Sequence, residues 1–466
     1  MSKATLTGLL VATAAVAIAL AVWRSDRPEP VPEVSARTRT GEQTIAFTGD
    51  TVVTSRMPVL ETDPGFARVV ETVRGASLAV TNLELTLFEH PPSGDRAPGA
   101  WPIGARAEAE ELKRLGFDVI TRANNRAGDY GVDGLRQTGA VLDAVGLRDA
   151  GVGDDLGQAR SALLVGTPVQ KVALISVSVS SSPEARATHT RGEIKGRPGV
   201  NPLRFTANIT VDQKTFETLK ASAPALQPDA QTGDAELTLF GRTITRGDRT
   251  VIDFAVDRAD QEEILEQIAA ARRSADIVLL ALHSHEPSNQ SEQPADFVRR
   301  FAQAAIDRGA TIVVGHGPHQ LRGVEVYGGG VIFHSLGNFL FPFEPLASRD
   351  ADVFDGGVDL YALALGAVGE QGRRTPSPID AAAWWESVVA VATFKDGAVT
   401  GVRLHPLDLG VELSQERRGT PRAAAPSRSA VILERLARLS AAFGTRISID
   451  GDTGMIDVGG ARAGAR

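Results

Sequence analysis

The sequence predicts an α/β fold in which buried strands alternate with amphipathic helices. Short apolar runs bounded by polar residues or glycine are typical of strands buried on both faces. Stretches with apolar residues at helical spacing lie between these runs, and this alternation indicates βαβ units instead of a pure β-sandwich. Each run also ends beside carboxylate, amide or imidazole side chains. The runs cover residues 44–48, 77–81, 118–121, 277–282 and 311–314.

The first three helices are predicted from their start and stop signals. Asp63 can cap a helix over residues 63–74, because its side chain accepts hydrogen bonds from the free N–H groups of a first turn. Glycine readily adopts the left-handed conformation that ends a helix. Two further helices therefore end before glycines, and they cover residues 105–115 and 132–145.

The second half of the chain repeats the same alternation. Amphipathic helices are predicted at residues 260–273 and 295–308, each ahead of an apolar run that ends in histidine. Later strand-like runs and one C-terminal helix follow, at residues 330–333, 389–394, 399–404 and 430–443.

Residues 180–250 break this alternation. The segment is rich in Ser, Thr, Pro and Arg, and Arg191, Lys195 and Arg197 lie close together in it. Two interpretations are open. The segment is either an insertion that covers the substrate and attracts an anionic ligand, or a long solvated loop. Its polar composition favours the solvated loop.

Composition excludes several classes of function. The chain has 466 residues, a net charge of −8 and a pI near 5.6. This acidity argues against nucleic acid as a partner, because nucleic-acid binding needs a basic surface. The chain contains no cysteine, so disulfides, Cys nucleophiles and thiolate metal sites are excluded. Any bound metal must therefore have nitrogen and oxygen ligands.

The N-terminus predicts a membrane segment. Residues 5–23 carry no charge, and their number is close to the roughly 20 residues that span a bilayer. We expect residues 1–27 to form a signal anchor, with a cleaved signal peptide as the alternative. Residues 28–42 are rich in proline and form a linker. We expect a cell-membrane protein whose globular part lies outside the cytoplasm.

Polar side chains follow the first two predicted strands. Asp50 comes directly after the first strand, and Asn82 and Glu84 follow the second. Asn82 and Glu84 are two residues apart, so they share one face of an extended chain. Each of these positions also fits an ordinary turn or a partly exposed strand end.

Asn124, Asn125 and Arg126 follow the third predicted strand. An amide carbonyl at such a position can coordinate a metal. The alternative is a helix-entry turn in which the amides bind backbone N–H groups.

Histidines in the second half of the chain are the strongest sign of a metal. His283 and His285, with Glu286, follow one strand, and His316 and His319 follow the next. Neutral imidazole is a good ligand for transition metals. A single histidine is more often a buried core residue, but two pairs at adjacent strand ends favour coordination. Functional groups collect beyond the carboxyl ends of strands in α/β sheets, so we expect one metal site.

Several motifs occur in a specific order along residues 43–405. They are FTGD at 47–50, TNLE at 81–84, ANN at 123–125, DYG at 129–131, GVG at 151–153, AR at 159–160, LH at 282–283 with Glu286, GHGPH at 315–319 and SLGNF at 335–339. In content and order these motifs resemble the bacterial capsule-synthesis family named after CapA. The domain of that family is similar to the calcineurin-like metallophosphatases.

The resemblance implies two packed mixed β-sheets flanked by helices, with a metal centre at the strand ends. It places this domain at residues 43–410 and leaves a C-terminal helix and tail at 411–466. The implied cofactor is one or two divalent transition-metal ions, Mn, Zn or Fe. By motif position the implied ligands are Asp50, Glu84, Asn125, His283, His316 and His319.

Two positions depart from the metallophosphatase pattern. Asp50 is followed by Thr51 and Val52, so the histidine usual two residues after that aspartate is missing. Arg126 stands where a histidine usually follows the paired asparagines, which removes the usual proton donor. Arginine stays charged, but its planar group can hold a carboxylate or phosphate in two-point contact.

The candidate site residues fall into two groups. The candidate catalytic residues are His285, as substitute acid, Arg126 and Asn124. The candidate substrate-binding residues are Asn82, Arg126, Asn338, Arg191 and Arg197.

Three functions are compatible with the sequence. The leading hypothesis is an envelope-anchored metal-binding protein of the capsule-synthesis type that acts on an anionic polymer such as poly-gamma-glutamate, or on a small intermediate. The alternatives are an extracytoplasmic metallophosphoesterase and a non-enzymatic polymer-binding or export component. The expected partners are the anionic ligand, the membrane and other capsule-synthesis proteins, and the expectation excludes nucleic acid. Whether the protein is an enzyme stays open, because metal ligands do not identify a substrate.

Overall fold

The computed structural model describes residues 41–53, 63–90, 103–341, 382–413 and 417–458. The predicted membrane segment at residues 1–27, most of the linker at 28–42 and the tail after residue 458 lie outside the described residues. Within the described ranges, no helix combines the length and the apolar character needed to cross a membrane.

The helices follow the predicted pattern closely. Asp63 caps the first helix as expected, and its Oδ1 accepts hydrogen bonds from the backbone N–H groups of Gly65 and Phe66 at 2.8 and 3.1 Å. The second helix ends at Gly116, which has a left-handed φ of 104°. The helices are α1 (Pro64–Arg74), α2 (Arg106–Leu115), α3 (Gly131–Ala144), α4 (Leu156–Arg160), α5 (Gln213–Leu226), α6 (Arg258–Ser274), α7 (Asp296–Asp307) and α8 (Pro426–Ala441).

The strands include all the runs predicted from apolar character. In chain order they are β1 (Glu42–Thr51), β2 (Leu78–Leu83), β3 (Thr86–Phe88), β4 (Ile103–Ala105), β5 (Val119–Thr121), β6 (Arg148–Ala150), β7 (Val152–Gly153), β8 (Leu163–Gly166), β9 (Lys171–Ser178), β10 (Gly199–Val200), β11 (Phe205–Asp212), β12 (Gln231–Thr232), β13 (Glu236–Leu239), β14 (Arg242–Gly247), β15 (Val251–Val256), β16 (Ile277–His283), β17 (Ile312–His316), β18 (Leu321–Tyr327), β19 (Gly330–Leu336), β20 (Asn338–Leu340), β21 (Glu386–Lys395), β22 (Ala398–Asp408), β23 (Arg422–Ala423), β24 (Ser448–Asp450) and β25 (Thr453–Asp457).

Two large mixed sheets form the body of the protein. The first has the strand order β24-β25-β22-β21-β1-β2-β5-β6, with β20 paired to the end of β1. In this sheet β1, β2, β5 and β6 run parallel, whereas β21 and β22 are antiparallel to their neighbours. The second has the order β18-β19-β17-β16-β9-β8, with a parallel centre and antiparallel edge strands.

The main hydrophobic core lies between the two sheets. It combines side chains of the first sheet, such as Phe47 and Val80, with side chains of the second, such as Leu279 and Phe333. A second core packs α1, α2 and α3 against the first sheet, and a third packs α6 and α7 against the second sheet. The strands are therefore apolar on both faces, which explains their continuous apolar runs. The predicted mixed α/β fold with several sheets and helices is confirmed.

Residues 205–256 are not the solvated loop that the composition favours. Strands β12-β13-β14-β11-β15 form a third sheet, and α5 packs on it around Val211, Phe216 and Leu237. The prediction of a loop is wrong here because these strands are half exposed. Half of the polar positions in β11 and β14 are threonine, a residue that strands accommodate well.

Helix α8 packs against the edge strand β18 of the second sheet. Gly323 permits the close approach, since a Cβ atom there would lie 2.5 Å from the carbonyl oxygen of Leu439. The Ser440 hydroxyl accepts a hydrogen bond from the backbone N–H of Val324 at 2.9 Å. Three leucine and isoleucine side chains of α8 enter the core between the sheets, and they are Ile432, Leu433 and Leu436.

Candidate metal centre

The parallel strands of both sheets end at the same edge of the sheet pair, and the predicted ligands meet there. Asp50 on β1 is paired in register with Asn82 on β2, and His283 on β16 is paired with His316 on β17. The turn after β17 brings His319 to the first sheet, with its Nδ1 atom 3.6 Å from Asp50 Oδ2.

Asp50 is fully buried and lies at the middle of this cluster. Its Oδ1 accepts a hydrogen bond from the Asn82 amide at 2.8 Å, and its Oδ2 accepts one from the backbone N–H of Gly317 at 2.9 Å. Burial raises the pKa of Asp50 to about 7, although both hydrogen bonds oppose the rise. Within the described chain, the basic side chains within 4.0 Å of this carboxylate are the imidazoles of His283 and His319.

Glu84 is the least satisfied group of the cluster. The residue is buried, and neither side-chain oxygen has a hydrogen-bond partner in the described part of the chain. Burial raises the pKa of Glu84 well above its ordinary value, and the nearby Asp50 carboxylate raises it further. A buried carboxylate without partners is costly, so both oxygens are suited to accept a cation.

The imidazoles are buried and uncharged. His283 Nε2 lies 3.0 Å from Asn125 Oδ1, and His319 Nε2 lies 3.8 Å from Glu84 Oε1. Burial lowers the pKa of His283, and it lowers the pKa of His316 to about 4 and that of His319 to about 3. Neutral imidazole has the lone pair that metal coordination requires.

The donor set fits a divalent transition metal. Donor atoms of Asp50, Glu84 and His283 lie within 4.8 Å of one another, and so do those of Glu84, His285 and His319. Carboxylate oxygens together with imidazole nitrogens suit Mn, Zn or Fe. A cation would also compensate the two buried carboxylates.

His316 and Asn125 border these two groups. His316 is buried, and its Nε2 lies 3.1 Å from the carbonyl oxygen of Thr48 and donates to it, so Nδ1 is the nitrogen left with a lone pair. The Asn125 carboxamide oxygen contacts His283 directly.

Three predicted asparagines form internal hydrogen bonds around the candidate ligands. Asn82 Oδ1 accepts from the Asn124 amide at 3.1 Å, and Asn124 Oδ1 accepts from the backbone N–H groups of Arg126 and Ala127. Asn338 Oδ1 lies 2.9 Å from Nδ1 of His319, and its amide donates to the His319 carbonyl. All three asparagines are buried. The structure thus places Asn82, Asn124 and Asn338 in the hydrogen-bond network around the candidate ligands.

Arg126 lies at the rim of the cluster. Its Nη1 is 3.4 Å from Asp129 Oδ2, and its side chain is partly exposed. Its positive charge opposes the rise in the pKa of Glu84 that burial and Asp50 cause. Arg126 therefore faces the ligand groups as well as Asp129.

Arg191 and Arg197 lie in an irregular segment before the third sheet. The Arg197 guanidinium donates to the carbonyl oxygens of Arg186 and Pro183. No hydrogen bond or ion pair within the described ranges links Arg191 or Arg197 to the ligand groups. The structure does not bring these two arginines into the cluster.

Sequence reasoning missed several residues that support the cluster. The Ser180 hydroxyl donates to Glu286 Oε2 at 2.9 Å and accepts from the backbone N–H of His285 at 2.8 Å. Asn289 Oδ1 lies 2.7 Å from Nδ1 of His285. These residues come from loops without a periodic pattern, so no local signal marks them.

Comparison with known proteins identifies the family of this chain. Residues 44–342, more than half of the chain, match the family model described as bacterial capsule synthesis protein PGA_cap. The uncharacterized protein y4sH of Sinorhizobium fredii (strain NBRC 101917 / NGR234) is 37% identical over 428 residues, which cover 89% of this chain and 92% of that protein.

Other relatives carry functional names, and two of them are CapA proteins. The PGA biosynthesis protein CapA of Bacillus subtilis (strain 168) is 30% identical over 52% of this chain and 47% of its own length. The capsule biosynthesis protein CapA of Bacillus anthracis is 23% identical over 70% of this chain and 66% of its own length. The resemblance predicted from the motifs is confirmed. This chain belongs to the PGA_cap family of bacterial capsule synthesis proteins.

Proposed function

We propose that this protein is a metal-binding component of capsule or polyglutamate synthesis that acts on an anionic polymer, or on an intermediate of its synthesis, at the Asp50–Glu84–histidine cluster. The observation that carries the proposal is the buried Glu84 carboxylate, whose two oxygens have no hydrogen-bond partner in the described part of the chain. The names of the CapA relatives support the choice of polymer.

The residues that would hold the metal are two carboxylates, one amide and three imidazoles: Asp50, Glu84, Asn125, His283, His316 and His319. This mixture of nitrogen and oxygen suits Mn, Zn or Fe better than Ca, which prefers oxygen ligands alone. When bound, the metal supplies Lewis acidity toward a carbonyl or phosphoryl oxygen.

Arg126 supplies the anion-binding group of the chain itself. The protein has a net charge of −8, so an anionic polymer binds only where positive charge is concentrated. The Arg126 guanidinium lies at the rim and can bind a carboxylate in two-point contact. It does not release a proton at neutral pH, so it orients the ligand and does not protonate a leaving group.

We also propose that residues 1–27 anchor the protein in the cell membrane with the described domain outside the cytoplasm. The uncharged stretch at residues 5–23 supports this location. Full-length protein is expected in the membrane fraction, whereas a chain beginning near Glu33 is expected in the soluble fraction. Recovery of uncleaved full-length protein in the cytosol contradicts the proposal.

Metal analysis combined with a binding and hydrolysis screen tests the function. Full-length protein purified without chelator is expected to contain a transition metal and to bind poly-gamma-glutamate more tightly with the metal than after its removal. The screen covers polyglutamate, peptides and phosphoesters. Brisk metal-dependent phosphodiester hydrolysis favours the phosphoesterase alternative, and polymer binding without turnover favours the non-enzymatic alternative. Absence of metal binding contradicts the proposal itself.

A further inference from the structure

We infer that His285 is a metal ligand of this chain, and that helix α8 holds it in place through Arg435, Gln320 and Asn289. The inference rests on the metal centre proposed above and adds a ligand to it. It also assigns His285 a role different from the proton donor expected from the sequence.

The position of His285 supports coordination. Its Nε2 atom lies 3.1 Å from Nε2 of His283, and one of its ring nitrogens belongs to the group of donor atoms shared with Glu84 and His319. The His285 and His319 rings are 5.5 Å apart between centroids. A cation bound by Glu84 and His319 is therefore within reach of His285.

The hydrogen bond on the other side of the ring determines which nitrogen faces the cluster. Nδ1 of His285 lies 2.7 Å from Asn289 Oδ1, and a carboxamide oxygen only accepts, so Nδ1 carries the proton. The neutral ring then has its lone pair on Nε2, the atom that points to His283. Asn338 orients His319 in the same way. Its Oδ1 accepts a 2.9 Å hydrogen bond from Nδ1 of His319, so the lone pair of that ring is on Nε2, which faces Glu84. Outer partners of this kind orient metal-binding histidines and set their tautomer.

The loop that carries Asn289 is tied to β18. Arg322 is buried, and its guanidinium donates to the carbonyl oxygens of three residues in the loop 286–291 at 3.0–3.1 Å. The Gln320 amide donates to the carbonyl oxygen of Asn289 itself. These bonds restrict the backbone of Asn289, and so they restrict the direction of its side chain toward His285.

Helix α8 completes the connection. Arg435 Nη2 donates to Gln320 Oε1 at 3.0 Å, and Arg435 Nη1 donates to the buried Glu386 at 3.0 Å. The Gln320 side chain therefore hydrogen-bonds on both sides: its NH₂ group donates to the loop, and its carbonyl oxygen accepts from α8. Arg428 of the same helix also pairs with Glu386, at 3.1 Å, but none of its contacts in the described chain includes Gln320. Helix α8 lies beyond residues 44–342 that match the family model, so a segment outside the matched range supports the site.

Zinc and cobalt binding to full-length protein tests the ligand and its partner. Asn289→Ala is expected to weaken zinc binding by about 10–100-fold, the usual effect of losing an outer partner of a metal-binding histidine. Asn289→Asp is expected to keep most of the affinity, because a carboxylate accepts the same Nδ1–H bond. His285→Ala is expected to change the absorption bands of bound cobalt, which depend directly on the coordinating atoms.

Two arginine variants of α8 test whether this helix affects metal binding. Arg435→Ala and Arg428→Ala each remove one ion pair between the helix and Glu386, but Arg435→Ala also removes the bond to Gln320 and a 3.6 Å ion pair with Glu292. Both are therefore expected to lower the unfolding temperature, Arg435→Ala by at least as much as Arg428→Ala. Only Arg435→Ala is expected to weaken zinc binding, by several-fold. Equal zinc affinities for the two variants would overturn the role of α8.

Different results contradict the metal centre and the assignment of His285 as one of its ligands. If wild-type protein binds no zinc or cobalt, the proposed metal centre fails, and this inference fails with it. If wild-type protein binds zinc but His285→Ala and Asn289→Ala bind it with unchanged affinity and unchanged cobalt spectra, the metal centre stands and His285 is not a ligand.

Discussion

The backbone N–H of Gly317 donates a 2.9 Å hydrogen bond to Oδ2 of Asp50. This bond joins the histidine-bearing turn of the second sheet to the central strand of the first. Gly317 has a φ of 112°, and a Cβ atom there would lie 3.0 Å from backbone atoms of Ser284. The turn can therefore aim its N–H at Asp50 only because this residue is glycine.

Replacement of Gly317 by alanine is expected to damage both folding and the site. A side chain at this φ strains the backbone by about 1–3 kcal/mol, and the shifted N–H leaves Asp50 without one of its donors. We expect a lower free energy of unfolding in denaturant and weaker zinc binding. Gly146→Ala is the control, because Gly146 also has a positive φ, of 72°, but nothing lies within 4 Å of its added Cβ. Equal zinc affinity for the two variants contradicts the role given to Gly317.

Glu84→Gln is expected to separate metal binding from folding. The amide keeps the shape of the side chain but removes a buried carboxyl group, whose oxygens have no hydrogen-bond partner in the described chain. The metal-free variant is therefore expected to unfold at a temperature no lower than wild type at pH 8, whereas zinc no longer raises that temperature. The control variant is Glu110→Gln, which lies on the exposed face of α2. Zinc is expected to raise the unfolding temperature of this variant as it does that of wild type. If zinc still raises the unfolding temperature of Glu84→Gln, Glu84 is not a metal ligand.

Arg126→Gln is expected to weaken binding of poly-gamma-glutamate by about 10–100-fold, since a hydrogen bond to a charged group contributes about 1.5–3 kcal/mol. Arg136→Gln is the control, because Arg136 forms an exposed ion pair with Asp154 at 2.9 Å. Fluorescence titration with labelled polymer measures both affinities. Asp129→Asn removes the ion pair but keeps Arg126, and it tests whether the effect of Arg126→Gln comes only from the loss of that pair. If Arg126→Gln binds polymer like wild type, Arg126 has no role in anion binding.

Stability at acidic pH is expected to depend on Glu325. Burial alone raises the pKa of Glu325, but hydrogen bonds from His334, Arg299 and Gln303 outweigh it and lower the pKa to about 2. The pKa is thus lower in the folded state than in the unfolded state, so the stabilisation is complete above about pH 4.5 and is lost as the pH falls toward 2. It amounts to about 3 kcal/mol. Urea unfolding at pH 7 and pH 3 is expected to show a larger deficit of Glu325→Gln at pH 7. A deficit that is the same at both pH values contradicts this expectation.

The sequence was sufficient to predict the main elements of the body of the protein. A strand covered on both faces must be apolar at every position, so β1, β16 and β17 are recognisable without knowledge of their neighbours. Helix α1 is marked in the same local way, by the Asp63 cap that the structure contains. The third sheet could not be recognised, because its half-exposed strands resemble a polar loop in composition.

The sequence by itself also indicated the ligand-type side chains of the candidate metal centre, since side chains at the carboxyl ends of parallel strands meet at one edge. Only the tertiary structure decided their roles. An asparagine has the same local signature whether it binds a metal, a substrate or another side chain, and packing alone turns Asn338 toward His319. Gln320 and Arg435 are 115 positions apart, so no local pattern relates them. Their hydrogen bond exists because the packing of α8 against β18 brings the two side chains together.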